Sequence, residues 1–159
     1  MGLFSKKHKS DELVAPVNGK LIPLEKVDDQ VFSQKMMGDG FAVEPSDGKI
    51  VSPVSGKVES VFPTKHALMI STKNGLEIML HLGLDTVELN GKPFEITVNE
   101  GDSIESGQSL GNMDLDEIVN SGKKTTVITI VSNMDSVSKM SPVDTKTVNS
   151  GDTVQTAIL

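Results

Sequence analysis

The sequence predicts an all-β protein, an antiparallel β-sandwich or barrel with one or two short helices. Short runs of β-type residues alternate with Gly, Pro, Asn and Asp along the chain, and few windows are long enough for a helix. The segment VNEGDSIE at 98–105 recurs as VNSGDTVQ at 148–155, so one supersecondary unit occurs twice. Many short strands separated by turn signals are typical of a sandwich or barrel.

The strands predicted in the first half of the chain are bounded by turn residues. They are residues 19–23, 41–45, 48–52, 56–62, 67–72 and 76–82. The Asn74-Gly75 pair separates the last two, and Asn-Gly is the strongest two-residue hairpin signal. We therefore expect a hairpin with its turn at Lys73-Asn74-Gly75, folded at Asn74-Gly75. A second recurring segment, PVNGKL at 16–21 and PVSGKV at 53–58, indicates the same turn into a strand at two places.

The strands predicted in the second half include those that flank the recurring Gly-Asp turns. They are residues 93–98, 109–112, 125–131, 143–148 and 154–158. In each Gly-Asp pair, glycine supplies a positive φ and aspartate caps neighbouring amides. Each copy is therefore expected to form a tight turn that leads into a strand. Two different repeat spacings exclude a simple solenoid, which would keep one period.

Two segments are helical candidates. Asp114 and Glu117 resemble a capping box ahead of Ile118 and Val119, and Gly122 is placed to end that helix. Residues 28–35 have room for one or two further helical turns.

The chain length and its ends predict one domain with a short extension. The chain has 159 residues, enough for a single domain with a substantial core. Residues 1–12 are expected to be a flexible basic tail and residues 13–159 a single domain. No stretch approaches the roughly 20 apolar residues that span a bilayer, and the basic start lacks the apolar segment of a signal peptide. We expect a cytoplasmic monomer without stable membrane insertion.

The composition excludes several function classes. Acidic residues outnumber basic ones 22 to 15, giving a net charge of −7, so a nucleic-acid backbone would be repelled. The sequence has no Cys, which excludes disulfides, thiolate zinc sites and a cysteine nucleophile. It also has no Trp or Tyr for stacking on bases. Nucleic acid is therefore not an expected partner.

His66 and His81 are the candidate chemical groups. Strand alternation in residues 76–82 places His81 on the face opposite Ile78 and Leu80. Gly83 lacks a side chain, so we expect it to leave room for another molecule beside the imidazole.

The predicted hairpin brings the two histidines together. Folding at Asn74-Gly75 pairs residue 66 near residue 83, so His66 is expected diagonally beside His81. Thr64, which has a hydroxyl, lies two residues before His66, and Asp85, which has a carboxylate, lies four residues after His81. Two facing imidazoles can bind a metal ion, or one can attack phosphorus while the other stabilises the phosphoryl oxygens. The residue types alone leave both chemistries open.

Several segments resemble one protein family in order along residues 14–159. They are MGDGFAV at 37–43, SPVSGKV at 52–58, TKHA at 64–67, HLGLDTVEL at 81–89 and SNMD at 132–135. This pattern is similar to the glucose-type IIA component of the bacterial phosphoenolpyruvate-dependent sugar phosphotransferase system. The resemblance implies an antiparallel β-sandwich of the duplicated hybrid-motif type, formed by a single IIA phosphocarrier domain.

The resemblance also implies the chemistry and its residues. His81 matches the histidine that accepts a phosphoryl group at Nε2 from the phosphohistidine of HPr. The group then passes to a cysteine in the IIB domain of a membrane sugar transporter, so the chain is expected to be a phosphotransferase component. His66 matches the second histidine, which orients the phosphoryl group, and Thr64 matches the hydroxyl that bonds to it. Asp85 matches an acidic residue at the rim.

Family members dock their partners on a shallow apolar face around the two histidines. The candidates by position are Val31, Phe32, Phe41, Phe62, Met79 and Val87. Some members bind permeases or a kinase when unphosphorylated, in some cases with a zinc ion bridged by the two histidines. The resemblance therefore implies no required cofactor, with zinc at a partner interface through His66 and His81 left open.

Three other function classes fit parts of the pattern. A lysostaphin-like zinc peptidase shares the spacing of His81 and Asp85, but it needs a later His-x-His pair that the sequence lacks. A biotinyl or lipoyl carrier needs a modifiable lysine at a hairpin tip, which Asn133-Met134-Asp135 does not provide. A purely regulatory binding protein would keep the apolar face and need neither histidine.

Overall fold

The computed structural model describes residues 9–159 and confirms the all-β prediction. All strand pairs among the described residues are antiparallel. The strands are β1 (Ser10–Val14), β2 (Gly19–Pro23), β3 (Asp39–Pro45), β4 (Lys49–Val51), β5 (Gly56–Val61), β6 (Ala67–Ser71), β7 (Glu77–Leu84), β8 (Phe94–Ile96), β9 (Ser103–Ile104), β10 (Ser109–Met113), β11 (Lys124–Val131), β12 (Lys139–Met140), β13 (Lys146–Val148) and β14 (Thr153–Ile158).

The main core lies between one large sheet and two small ones. The large sheet has the order β13-β2-β3-β11-β7-β6-β5-β9, and the small sheets are β1-β14-β12 and β4-β10-β8. Leu80 of the large sheet, Leu13 of the first small sheet and Leu110 of the second are fully buried in the same cluster. Burial of aliphatic side chains between facing sheets is the dominant favourable contribution to such a fold.

A second, smaller core covers the outer face of the large sheet. Residues 24–33, here called the cap segment, cross this face as a 3-10 turn (Leu24–Lys26) followed by helix α1 (Gln30–Ser33). Leu24, Val27 and Phe32 of the cap segment pack against Met79 and Ile128 of the sheet. The cap segment therefore lies on the face of β7 opposite the main core.

The helices form where the sequence predicts them. The Asp29 carboxylate accepts hydrogen bonds from the amides of Val31 and Phe32 and thereby caps α1. Asp114 likewise accepts from the amide of Glu117 at the start of helix α2 (Leu115–Asn120). Aspartate is a favoured N-cap because its carboxylate satisfies amides that have no partner within the helix. Among residues 9–159, neither helix is long and apolar enough to cross a membrane.

The internal repeats adopt the same local structure in both copies. Asp102 accepts from the amide of Asn99 at 2.8 Å, and Asp152 accepts from the amide of Asn149 at 2.8 Å. Gly101 and Gly151 have φ values of 95° and 92°, as expected for the turn.

The two copies of the second recurring segment, at 16–21 and 53–58, are joined by backbone hydrogen bonds. The Val14 amide donates to the Pro53 carbonyl, and the Val51 amide donates to the Pro16 carbonyl. These reciprocal bonds join the two copies in equivalent ways, which supports the predicted duplication.

Three short strands were not predicted from the sequence, and one of them changes the expected tail. β1 begins at Ser10 and pairs with β14, so residues 10–12 belong to a sheet and not to a flexible tail. Asp11 also accepts hydrogen bonds from the Thr72 hydroxyl and the Asn74 amide. Residues 10–12 are polar and show no strand pattern in the sequence. They form a strand because of contacts with residues distant in sequence. The remaining part of the expected tail, residues 1–8, lies outside the described residues. The other missed strands, β9 and β12, each contain two residues.

The predicted hairpin forms, but its register is shifted by one residue. Ala67 lies opposite His81, and the Leu82 amide donates to the His66 carbonyl at 2.7 Å. The turn spans residues 73–75, because the Thr72 amide donates to the Leu76 carbonyl and the Thr72 hydroxyl accepts from the Leu76 amide. The turn predicted at Lys73-Asn74-Gly75 is therefore observed, whereas the predicted pairing of residue 66 near residue 83 is wrong by one residue.

Candidate active site

His81 lies on the outer face of the large sheet beside the cap segment. It is directly opposite Ala67 on β6 and Ile128 on β11. Its alternation with Leu80 and Leu82, which belong to the main core, agrees with the sequence prediction. The Phe32 ring from α1 lies 5.0 Å from the imidazole between centroids, at 60°. His81 is consequently half-buried between the sheet and the cap segment.

A backbone carbonyl sets the tautomer of His81. Its Nδ1 lies 2.7 Å from the carbonyl oxygen of Gly83. A carbonyl oxygen only accepts hydrogen bonds, so the neutral ring carries its proton on Nδ1. The lone pair is then on Nε2, which is the atom available to attack an electrophile.

The surroundings of His81 favour the neutral ring. Burial lowers its pKa from the ordinary value of 6.5 to about 4, and repulsion by His66 acts in the same direction. The Gly83 carbonyl, Asp29 and Asp85 raise the pKa but do not outweigh burial. Because desolvation penalises the charged form, the imidazole is a neutral nucleophile at neutral pH.

His66 faces His81 at the start of the neighbouring strand. The two ring centroids are 5.1 Å apart and the planes meet at 82°. The Phe62 ring meets the His66 ring edge-on at 5.4 Å. Lys65 has a φ of 57° and β6 begins only at Ala67, so His66 is outside the regular ladder. The predicted pairing of the histidines is therefore observed although the hairpin register is not.

Thr64 positions the ring of His66. Its hydroxyl oxygen lies 2.6 Å from Nδ1 of His66. Burial lowers the pKa of His66 as well, so this ring is also favoured in its neutral form. When the hydroxyl donates to Nδ1, the proton of the ring is on Nε2.

Two carboxylates lie near His81, and the sequence indicated only one of them. Asp85 is exposed, has a left-handed φ of 60° and precedes the 3-10 turn Thr86–Leu89. Asp29 caps α1 and also acts electrostatically on His81. Helical capping was a local signal for Asp29, but its proximity to His81 depends on the path of the cap segment.

Comparison with known proteins identifies the family. Residues 11–137 match the family described as phosphoenolpyruvate-dependent sugar phosphotransferase system, EIIA 1. The chain belongs to this EIIA family. EIIA components are phosphotransferases of that transport system.

Individual relatives and a solved structure agree with the family match. The chain is 49% identical over 131 residues to the glucose-specific EIICBA component of Streptococcus pneumoniae, covering 82% of this chain but 18% of that protein. It is 43% identical over 154 residues to the glucose-specific EIIA component of Staphylococcus epidermidis, covering 95% and 93% of the two chains. Glucose permease IIA from Mycoplasma capricolum superposes with a TM-score of 0.86 at 38% identity, covering 93% and 96%.

The expected docking residues of this EIIA chain divide into two groups. Val31 and Val87 are 42% and 47% exposed, and Phe62 is half-buried beside His66. Phe41 is fully buried in the main core, on the other face of the sheet, so its expected docking role is wrong. Met79 is also buried, in the core beneath the cap segment, and is not an exposed docking residue.

Three further apolar residues lie in or just after α1. Phe32 is mostly buried and contributes through its contact with the His81 ring. Met36 and Met37, which follow α1, are 69% and 44% exposed. Nothing in the sequence pattern marked these two methionines as exposed.

Gly83 has a different role from the one expected. A Cβ there would lie 2.5 Å from Cγ2 of Thr86 and 2.9 Å from the Lys124 carbonyl oxygen. The space beside Gly83 is therefore filled by the EIIA chain itself and does not admit a partner. Its φ of 80° is readily adopted only by glycine, which explains the residue type.

Two imidazoles, those of His66 and His81, are available at the site as metal ligands. Within residues 9–159 no group of three or more His, Cys, Asp and Glu side chains could hold a metal ion. His66 and His81 can supply two nitrogen ligands, and a stable zinc site needs about four. Further ligands would have to come from a partner.

Proposed function

We propose that this EIIA chain is a cytoplasmic phosphocarrier in which His81 accepts a phosphoryl group from phospho-HPr and passes it to a IIB domain. The hydrogen bond from His81 Nδ1 to the Gly83 carbonyl carries the proposal, because it leaves a neutral Nε2 as the nucleophile. The relatives named as glucose-specific components favour glucose as the transported sugar.

The transfer balances without a cofactor. In the first step, Nε2 of His81 attacks phosphorus, its N–P bond forms, and the N–P bond in phospho-HPr breaks with its electron pair returning to the donor imidazole. Nδ1 keeps its proton and its bond to Gly83 throughout. In the second step, a cysteine thiolate of the IIB domain attacks phosphorus, and the electron pair of the N–P bond returns to Nε2.

His66 stabilises the transferred group. With the Thr64 hydroxyl donating to Nδ1, the Nε2–H of His66 is free to donate to a phosphoryl oxygen. A donor of this kind, fixed in position before the reaction, stabilises charge in the transition state. Asp85 and Asp29 add negative charge near His81. Apolar docking and the His66 donor must therefore offset repulsion of the incoming phosphoryl group.

The docking surface consists of apolar side chains around the two histidines. Val31 and Val87 are exposed, Phe62 borders His66, and Met36 and Met37 extend the surface beyond α1. The flexible side chain of Met suits surfaces that accept more than one partner. Both HPr and the IIB domain would dock here, because in-line transfer requires access to the same Nε2.

The same surface supports regulatory binding in the unphosphorylated state. Its exposed apolar residues remain available to permeases or kinases when His81 carries no phosphoryl group. Zinc bound at such an interface would take nitrogens from His66 and His81 and its other ligands from the partner. Phosphoryl transfer itself requires no metal, and a monomer provides every residue of the site.

Intact-mass analysis tests the phosphocarrier function. The chain is incubated with phosphoenolpyruvate, enzyme I and HPr, and we expect one added acid-labile phosphoryl group. His81→Ala should abolish the mass shift, whereas His8→Ala, which replaces the third histidine of the sequence, should leave it intact. No added mass, with a competent carrier phosphorylated under the same conditions, would contradict the function.

A further inference from the structure

A cleft separate from the histidine site lies on the same face of the large sheet. Its volume is about 400 Å³. Lys20 on β2 and Lys124 on β11 form one side, and Lys26 and Asp28 of the cap segment form the other. Neither histidine lines this cleft, but the cap segment borders both sites. The volume falls within the usual range for small-molecule sites, about 300–1,000 Å³.

Three ammonium groups surround the cleft in a protein of net charge −7. Lys124 forms an ion pair with Asp28 at 3.2 Å. Among residues 9–159, Lys20 and Lys26 take part in no ion pair. Lysine is a common ligand for phosphate because ammonium–phosphate hydrogen bonds are charge-assisted. The positive groups therefore favour an anionic ligand that carries a phosphate.

The other residues of the cleft indicate that the ligand is more than a phosphate ion. The carboxylates of Glu44 and Asp28 would repel a bare anion but can accept hydrogen bonds from hydroxyl groups. Thr126, which is 3% exposed, adds a hydroxyl to the lining. Ile22 and Val27 provide apolar contact for carbon atoms. Such a mixture of ammonium, carboxylate and aliphatic groups suits a phosphorylated polyol.

We propose that this cleft binds a sugar phosphate, with its phosphate on Lys20 and Lys26 and its hydroxyls on Glu44 and Asp28. The choice of a sugar among phosphorylated polyols rests on the proposed function, since a transport system that phosphorylates sugar produces this class of compound. The ligand is thus a product of the same pathway, bound away from the phosphoryl-carrying histidine.

The cap segment couples the cleft to His81. A ligand held by Lys26 and Lys20 joins the cap segment to the sheet. Asp28 is followed directly by Asp29, which caps α1, and Phe32 of α1 contacts the His81 ring. A ligand that fixes the position of the cap segment is therefore expected to change the environment of the His81 ring.

Binding is tested by NMR titration of the unphosphorylated full chain with glucose 6-phosphate at constant ionic strength. We expect saturable shifts of the Ile22 and Thr126 amides, with shifts of the His81 ring over the same concentration range. Lys20→Gln/Lys26→Gln should weaken binding about tenfold, which corresponds to about 1.4 kcal/mol. The control Lys49→Gln/Lys57→Gln makes the same charge change at exposed positions outside the cleft and should leave binding unchanged.

Glucose and inorganic phosphate, titrated separately, identify what the cleft recognises. Both should bind more weakly than glucose 6-phosphate. Equal affinity for inorganic phosphate, equal weakening in the control pair, or no saturable shift would overturn the proposal. An unchanged His81 ring at saturation would overturn the coupling. Because the titration uses unphosphorylated chain, its result is independent of whether His81 accepts a phosphoryl group.

Discussion

Nδ1 of His81 lies 2.7 Å from the carbonyl oxygen of Gly83, two residues further along β7. This bond joins the end of a strand to the reactive ring on the same strand. Gly83 reaches a φ of 80° there, close to Thr86 and to the Lys124 backbone. The backbone at Gly83 therefore determines which imidazole nitrogen is the nucleophile.

Replacing Gly83 by alanine should be strongly destabilising. The new Cβ overlaps Thr86 and the Lys124 carbonyl and also forces alanine into a positive φ. We expect Gly83→Ala to lower the free energy of unfolding by about 3 kcal/mol or more. Gly107→Ala is the control, because Gly107 has a φ of 85° and the Cβ that alanine would add there meets nothing within 4 Å. Gly107→Ala should lower the free energy of unfolding by about 1 kcal/mol. Equal urea midpoints for the two variants would contradict the role of crowding at Gly83.

The pKa of His81 gives the stability of the chain a specific pH dependence. Burial lowers this pKa to about 4 in the folded chain, from the ordinary value of 6.5. The unfolded chain then binds more protons between these values, so stability falls as the pH is lowered from about 6.5 toward about 4. As the pH is lowered through this range, the free energy of unfolding measured with urea should fall more steeply for the wild type than for His81→Gln. NMR titration of the His81 ring should have its midpoint well below 6.5, and a midpoint at or above that value would contradict the account.

Much of the fold could be predicted because its signals are local. The Asp114 cap of α2 and the repeated Gly-Asp turns form where the sequence places them. The strand that carries His81 alternates between the two faces of the sheet as predicted. These features depend on neighbouring residues, so a single sequence contains the information.

The features that could not be predicted depend on long-range contacts. Ser10 and Asp11 lie in a strand because they meet β14 and the turn between β6 and β7. Phe41 was expected at the docking surface, but the pairing of β3 directs it into the main core. Asp29 reaches His81 only through the path of the cap segment. In each case a partner distant in sequence decides the outcome.

His66→Gln should separate acceptance of the phosphoryl group from its onward transfer. His81 keeps its tautomer in this variant, so one phosphoryl group should still be added from phospho-HPr. Transfer to the IIB domain should slow by about 100-fold, because a positioned donor to the phosphoryl oxygens is lost. Thr64→Val, which removes the hydroxyl on Nδ1 of His66, should have a smaller effect in the same direction. Sugar phosphorylation at the wild-type rate by His66→Gln would be inconsistent with this role.

Charges introduced on the docking surface should weaken transfer without unfolding the chain. Val31 and Val87 are 42% and 47% exposed, so aspartate there remains hydrated in the free chain. On docking, the added carboxylate would be desolvated beside an incoming phosphoryl group. Val31→Asp and Val87→Asp should each lower kcat/KM for transfer from phospho-HPr by about tenfold. Val119→Asp, at a 61% exposed position on α2, is the matched control and should be neutral. Equal effects at all three positions would contradict the assigned surface.

The position of the phosphoryl group tests the central claim most directly. Phosphorus and histidine-nitrogen NMR of the phosphorylated chain distinguishes the two nitrogens of each ring. We predict a single phosphoryl group on Nε2 of His81, with Nδ1 still protonated and bonded to the Gly83 carbonyl. A phosphoryl group on Nδ1 of His81, or on either nitrogen of His66, would contradict the account.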